Sequence, residues 1–265
     1  MGRYVIKSGS GLLTKKDGRR DLDVIKSISF QISRLMEMGH SFVYVSSGAV
    51  AGDPKKNRTK NLRSMVGQVS LMSEYKKVFS DVGIEIAQLL VSESDLSGFL
   101  YILKKFFTIG PTLVEKVILE SFEERVLVVV NFNDGTNDSQ IKALNRCADN
   151  DHTSMSIALM DKLEIDGVIT LVDAPGVLDN GGKLVKLVGK GEYNRTVEYA
   201  NGGSEFGHGK NGMETKIKKN INVAKHGKLA AIINGRDPSS IEEIVSVFEG
   251  CALLDSFDKG TIFLP

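Results

Sequence analysis

The chain has no tryptophan, only two cysteines, five prolines and four histidines in 265 residues. Two cysteines, Cys147 and Cys251, cannot build a disulfide framework, and they suit a reducing compartment. The four histidines (His40, His152, His208, His226) stand at no spacing that metal sites use, so no protein-held metal is expected. Neither sign of charge dominates: 34 Lys and Arg face 33 Asp and Glu, for a formal net charge of +1. A protein built mainly to hold nucleic acid carries a strongly basic field, whereas here basic residues gather only locally, at 55–63 and 210–219. No apolar run approaches the ~18 residues of a membrane span. The opening segment is charged and strand-like rather than a secretory signal. These absences set a cytoplasmic globular protein as the expectation, without nucleic acid or membrane as partner. Hydrophobic residues at 42% suffice for one large buried core.

What is present alternates. Short apolar runs at 4–6, 42–45, 84–91, 126–130, 167–172 and 229–233 lack the in–out pattern of a half-wet sheet and read as buried parallel strands. Between them, residues 23–38 place Ile25, Ile28, Ile32, Leu35 and Met36 on one helical face and stop at Gly39. Residues 65–82 place Met65, Val69, Met72 and Val78 at similar spacing, and 153–163 and 213–225 also read as helices. Strands alternating with helices predict right-handed crossovers and a three-layer αβα sandwich around a mostly parallel sheet, as a single domain over 1–265.

On such a sheet, ligands bind beyond the carboxyl ends of the strands. Small or polar residues follow five of the predicted strands: Lys7-Ser8-Gly9-Ser10-Gly11, Ser46-Ser47-Gly48-Ala49, Asn131-Phe132-Asn133-Asp134, Asp173-Ala174-Pro175-Gly176 and Asn234-Gly235-Arg236-Asp237. Gly9, Ser10 and Gly11 let backbone N–H groups approach phosphate oxygens, with Lys7 as a compact cation beside them; an ordinary glycine turn fits the same residues. Ser46 to Ala49 could hold a carboxylate or phosphate, or simply turn the chain. In Ala148-Asp149-Asn150-Asp151, Asp151 or Asn150 could cap the following helix. The carboxylates there would repel one another without a lysine, magnesium or substrate ammonium nearby. The glycine-rich stretch 207–216 resembles a phosphate-binding P-loop only superficially, since Met213 stands where that motif needs Lys. Lys216, one turn into the next helix, is either a phosphate ligand or a surface lysine. Residues 183–210 lack periodicity and read as a surface flap or lid.

Taken in order, these segments resemble the amino-acid kinase superfamily, and within it the glutamate 5-kinase family, over nearly the whole chain. The resemblance rests on Lys7–Gly11 with Leu12-Leu13-Thr14, Ser46 to Ala51, Val66-Gly67-Gln68 with Leu71-Met72 and Tyr75, Asn131 to Asp134, Ala148 to Asp151, Val172-Asp173 with Gly176-Val177, Gly212-Met213-Glu214-Thr215-Lys216 and Gly260-Thr261-Ile262-Phe263. It implies phosphoryl transfer from ATP, carried with Mg²⁺ on its phosphates, to the side-chain carboxylate of glutamate. Lys7 and Lys216 would hold the phosphates and Asp151 would orient both lysines. Ser47, Asp134, Asp149 and Asn150 would bind the amino acid. Gly9, Ser10, Gly48, Asp173, Gly212 and Met213 would meet the nucleotide. A homo-oligomer is expected, and the RNA-binding-like C-terminal domain of many members is expected to be absent. The chain departs from the family at Gly11, Phe132, Ala148 and Val172, and at an insertion in the glycine loop at Lys210 and Asn211. Two other readings stand beside it: a relative acting on another carboxylate or phosphate, and a non-catalytic nucleotide or amino-acid sensor of the same fold.

Overall fold

The structure is a computed structural model and describes residues 1–53, 55, 57–97, 110–133, 149–200 and 210–265. Its strands are β1 (Arg3–Ser8), β2 (Ser41–Ser46), β3 (Ile86–Val91), β4 (Leu127–Phe132), β5 (Gly167–Val172), β6 (Leu187–Val188), β7 (Leu229–Asn234) and β8 (Gly260–Phe263). They form one sheet in the order β3-β4-β2-β1-β5-β7-β8-β6. Every pairing is parallel except β7 with β8. β1 lies between β2 and β5, and its register pairs Ser8 with both Ser46 and Leu171. The strand ends at Ser8, Ser46 and Val172 therefore open on one edge.

Successive residues of a strand point to opposite faces, and the chain uses both. Tyr4 and Ile6 join one apolar core, Val5 the other. The first core receives α2 (Leu22–Glu37) through Ile25, Ile28, Ile32 and Leu35, and α3 (Lys60–Ser80) through Leu71, Tyr75, Val78 and Phe79. It also receives α9 (Ser240–Phe248) through Ile241, Ile244, Val245 and Val247. The second core takes α5 (Leu113–Glu123) through Val114 and Ile118, α6 (Asn150–Ala158) through Ile157 and Ala158, and α8 (Lys210–Lys225) through Ile217, Ile221, Val223 and Ala224. The expected three-layer αβα sandwich is thus what forms. Shorter helices are α1 (Ser10–Leu13), α4 (Glu93–Ser97) and α7 (Tyr193–Tyr199). No helix among the described residues is long and apolar enough to cross a membrane.

Three expectations change. In α3, Met65 and Val69 are 56% and 74% exposed, and the inward row is Gly67, Leu71, Tyr75, Val78 and Phe79; of the four residues expected on one face, only Val78 is buried. The reason is a second row of apolar residues one step around the helix, which the bare spacing does not distinguish. Residues 183–200 are not a flap. Leu187–Val188 pairs with β8, and Tyr193 is buried and donates to the Leu264 carbonyl at 2.6 Å. Residues 201–209 of the expected lid lie outside the described residues. Finally, α5 and α9 are not among the helices expected from the apolar spacing. Yet α5 carries a capping box, with the Glu115 N–H donating to Thr112 Oγ1 at 3.2 Å and the Thr112 N–H donating to Glu115 Oε2 at 2.6 Å.

Candidate active site

Strand parity decides what Lys7 meets. It shares the face of Val5, so its chain runs beneath α6 and α8 rather than into solvent, and only 3% of the side chain is exposed. Its Nζ lies 2.5 Å from Asp151 Oδ1, in the first turn of α6. Lys216, on α8, reaches the same carboxylate from the other side, with Nζ 3.7 Å from Asp151 Oδ2. Two ammonium groups, 209 positions apart in sequence (216 − 7), thus share one carboxylate at the strand-end edge. Burial holds the Lys7 pKa below the ordinary lysine value; Asp151 opposes that shift and the neighbouring Lys216 ammonium adds to it. The two ammonium groups share the Asp151 carboxylate, so neither has it to itself, and an anion between them can take their remaining donors.

Gly9 sits inside this group. A Cβ there would stand 3.7 Å from Lys216 Cε and 3.9 Å from Lys7 Nζ, so a side chain would occupy the space between the lysines. Gly212 closes the far side: its carbonyl accepts from Lys216 Nζ at 3.0 Å. Asn220, one turn on, is buried and ties α8 to the sheet by donating to Thr170 Oγ1 at 3.1 Å and to the Lys216 carbonyl at 2.8 Å. Ser10 opens α1 and is exposed at the same edge. Met213, in the first turn of α8, packs against the margin of the second core.

A second group forms at the end of β2 and β4. Asn150 Nδ2 donates to Ser47 Oγ at 3.2 Å and to Asn131 Oδ1 at 3.3 Å, while Asn150 Oδ1 accepts from the Phe132 N–H at 3.1 Å. Asn131 Nδ2 donates in turn to Gln68 Oε1, on α3, at 3.1 Å. The loop that carries Ser47 is held from behind. Arg20 donates to the carbonyls of Gly48 (3.1 Å) and Gly67 (3.2 Å) and pairs with Glu74. Gly48 has φ +99°, a conformation that glycine adopts without strain. Gly67 permits the closest approach in the region, since a Cβ there would lie 1.7 Å from the Ala49 carbonyl oxygen. Below the loop, Tyr75 and Ser46 hydroxyls meet at 2.6 Å, and Tyr44 donates to Ser8 Oγ at 2.8 Å.

Two of the remaining predicted residues have structural partners of their own. Asp149 is the N-cap of α6, accepting from the His152 N–H at 2.7 Å; the cap is neither Asn150 nor Asp151, because the helix begins earlier than its apolar pattern suggests. Asp173 follows β5 and forms a two-point pair with Arg236, whose Nε and Nη2 lie 2.5 and 3.2 Å from its carboxylate. Arg236 also reaches Asp21 at 2.9 Å, and the two carboxylates raise its pKa. Asp134 lies outside the described residues. Among the described residues, no group of three or more His, Cys, Asp or Glu side chains is placed to hold a metal ion. Arg20, Gln68 and Arg236 join the site without being among the residues expected there. Gln68 belongs to the Val66-Gly67-Gln68 segment that carries the resemblance, whereas Arg20 has no sequence signal.

Residues 2–234 match the model of the amino acid kinase family, and the chain belongs to that family. The curated relatives it matches include glutamate 5-kinases. The enzyme of Geobacter sulfurreducens is 31% identical, across 99% of this chain and 68% of its own length. That of Clostridium acetobutylicum is 29% identical, across 100% of this chain and 95% of its own. Among solved structures, isopentenyl phosphate kinase superposes with a TM-score of 0.63 at 18% identity, covering 98% of this chain and 99% of that one. The N-acetylglutamate synthase of Neisseria gonorrhoeae gives 0.65 at 13%, covering 100% of this chain and 59% of that one. At such identities the two structures share the fold.

Proposed function

We propose that this chain transfers the γ-phosphoryl group of ATP to the side-chain carboxylate of glutamate, in one kinase domain. The observation that carries the reading is the pair of ammonium groups of Lys7 and Lys216 meeting at Asp151. The glutamate 5-kinase relatives supply the acceptor. Both lysines are present, which weighs against a sensor that has lost catalysis.

A carboxylate is already a nucleophile at neutral pH, so no general base is required. One of its oxygens attacks the γ-phosphorus, the bond from that phosphorus to the β,γ-bridging oxygen breaks, and ADP departs with the electron pair. No proton changes hands. The difficulty is electrostatic, since two anions must meet and charge shifts towards the bridging oxygen. Lys7 and Lys216 would take phosphate oxygens from two sides, and Gly9 leaves the space between them open. Asp151 keeps both cations aimed without filling the site. Mg²⁺ would travel on the nucleotide phosphates and neutralise part of their charge. On the acceptor side, Ser47 and Asn150 would hold the amino acid, with Asp149 and Asp134 facing its ammonium group. Gly48, Ser10, Gly212, Met213 and Asp173 would line the nucleotide.

The test is ADP release over a panel of acceptors: glutamate, aspartate, N-acetylglutamate, carbamate and a nucleoside monophosphate. Turnover concentrated on glutamate is expected. Silence with glutamate and turnover with another acid would overturn the acceptor, and ATP binding without turnover on any acceptor would overturn the reaction.

A further inference from the structure

The segment Val66-Gly67-Gln68, with Leu71 and Tyr75, is used by nothing in the phosphate half of the site. Its helix α3 faces the acceptor loop instead. Gly67 sits under the Ala49 carbonyl, Leu71 enters the core and Tyr75 meets Ser46. Gln68 is the member of this row whose amide reaches the hydrogen-bond chain leading to Ser47.

That chain has a direction. Gln68 Oε1 accepts from Asn131 Nδ2, which turns Asn131 Oδ1 towards Asn150. Asn150 must then present its Nδ2 to Asn131, and the same nitrogen donates to Ser47 Oγ. Its Oδ1 is taken by the Phe132 N–H, which locks the same orientation from the backbone. Ser47 Oγ therefore receives a hydrogen bond from behind, and its own proton is free to point elsewhere. With Asn131 and Asn150 reversed, Ser47 would have to donate to an amide oxygen and would offer an anion nothing. The arrangement carries a cost, because Gln68 Nε2 is buried and has no hydrogen-bond partner among the described residues. A methionine of similar length would remove that unpaired donor but leave the buried Asn131 Nδ2 without its acceptor, so what the glutamine adds beyond packing is its bond to Asn131.

We infer that Gln68 is a positioning residue for the acceptor: its carbonyl holds the Asn131 amide and, together with the Phe132 N–H, fixes the polarity of the Asn131–Asn150–Ser47 chain, so that the Ser47 hydroxyl donates to an anionic group of the bound substrate. This rests on the kinase reading above. Gln68→Met tests it in the full chain. The variant should raise the KM for glutamate about ten-fold and leave the KM for ATP within about two-fold, with a lower melting temperature than wild type from the orphaned Asn131 amide but a cooperative folded state retained. On a Ser47→Ala background the same change should add less than about two-fold, because the hydroxyl it serves is gone. A glutamate KM within about two-fold of wild type, equal losses for both substrates, or effects that multiply in the double variant would each overturn the inference. Gln68→Asn is run alongside, with the same criteria; if neither variant folds, Gln68 is a structural residue and the inference is wrong. The wild-type control separates the two claims. Its silence with glutamate removes the reading beneath, whereas an active wild type with an indifferent Gln68→Met removes only the role of Gln68.

Discussion

The two halves of the site are built from different interactions. At the ends of β1 and α8 the working groups are charges: two ammonium groups and the carboxylate they share. At the ends of β2 and β4 the described groups other than Asp149 are neutral amides and a hydroxyl, joined by hydrogen bonds whose direction matters more than their strength. A buried charge acts over several ångströms and tolerates small displacements. A donor must face its acceptor within a few tenths of an ångström, so the neutral half is braced from behind by Arg20, Gly67 and Tyr75. The phosphate end is strong and forgiving, the acceptor end weak and exacting.

Substitutions can separate the halves. The largest effect belongs to the lysines: Lys7→Ala or Lys216→Ala should cut kcat on the order of 10²–10³, as when a transition-state donor is lost. Steady-state kinetics at saturating glutamate, with a melting curve to confirm folding, checks this. Next comes Gly67→Ala. The added methyl cannot coexist with the Ala49 carbonyl, so the acceptor loop must move. A displacement near 1 Å costs about 10² in kcat/KM, here expected for glutamate, with a smaller rise in the KM for ATP because the same loop carries Gly48. Equal losses for both substrates would dissolve the distinction.

Asp151→Asn gives a third effect, visible in the pH profile. The Lys7 ammonium is the active form, present below its pKa and lost above it. Burial already lowers that pKa, and Asp151 is the main group resisting the shift. Removing its charge should move the alkaline limb of kcat/KM to lower pH. A limb that stays in place or moves up would mean that another group controls it. The smallest change is expected at Arg236→Gln. Its pair with Asp173 is 40% exposed on the arginine side, and such pairs contribute about 0–1 kcal/mol, so the effect on the KM for ATP should stay within a few-fold.

The charged half is also the more legible in sequence. Lys7 ends an apolar strand and Lys216 follows a glycine-rich stretch inside a helix, positions that fit a phosphate ligand or a plain turn and surface lysine until the family resemblance joins them. The central strands β1, β2, β4, β5 and β7 are legible too, because parallel strands covered on both faces must be continuously apolar. The run at 84–91 instead gives β3, an edge strand with Ala87, Gln88 and Leu90 exposed rather than buried, and β6 has no such run. The braces are not legible. Arg20 lies 28 positions from Gly48 and 47 from Gly67, and nothing local marks an arginine that spends its donors on distant carbonyls. In α3, Met65 and Val69 satisfy helical spacing yet face outward, because a second row, Leu71, Val78 and Phe79 with Gly67 and Tyr75, takes the inward face. Asp149, which the family resemblance puts among the substrate ligands, also caps its own helix, a role that the apolar pattern starting at Thr153 does not mark.

Trapping with hydroxylamine bears most directly on the claim that two converging lysines phosphorylate a carboxylate, since an acyl phosphate reacts with it to give a hydroxamate. Wild-type protein with ATP and glutamate should form hydroxamate in step with ADP, and both Lys7→Ala and Lys216→Ala should lose the two products together. ADP without hydroxamate, or near-wild-type yield from either variant, would contradict it.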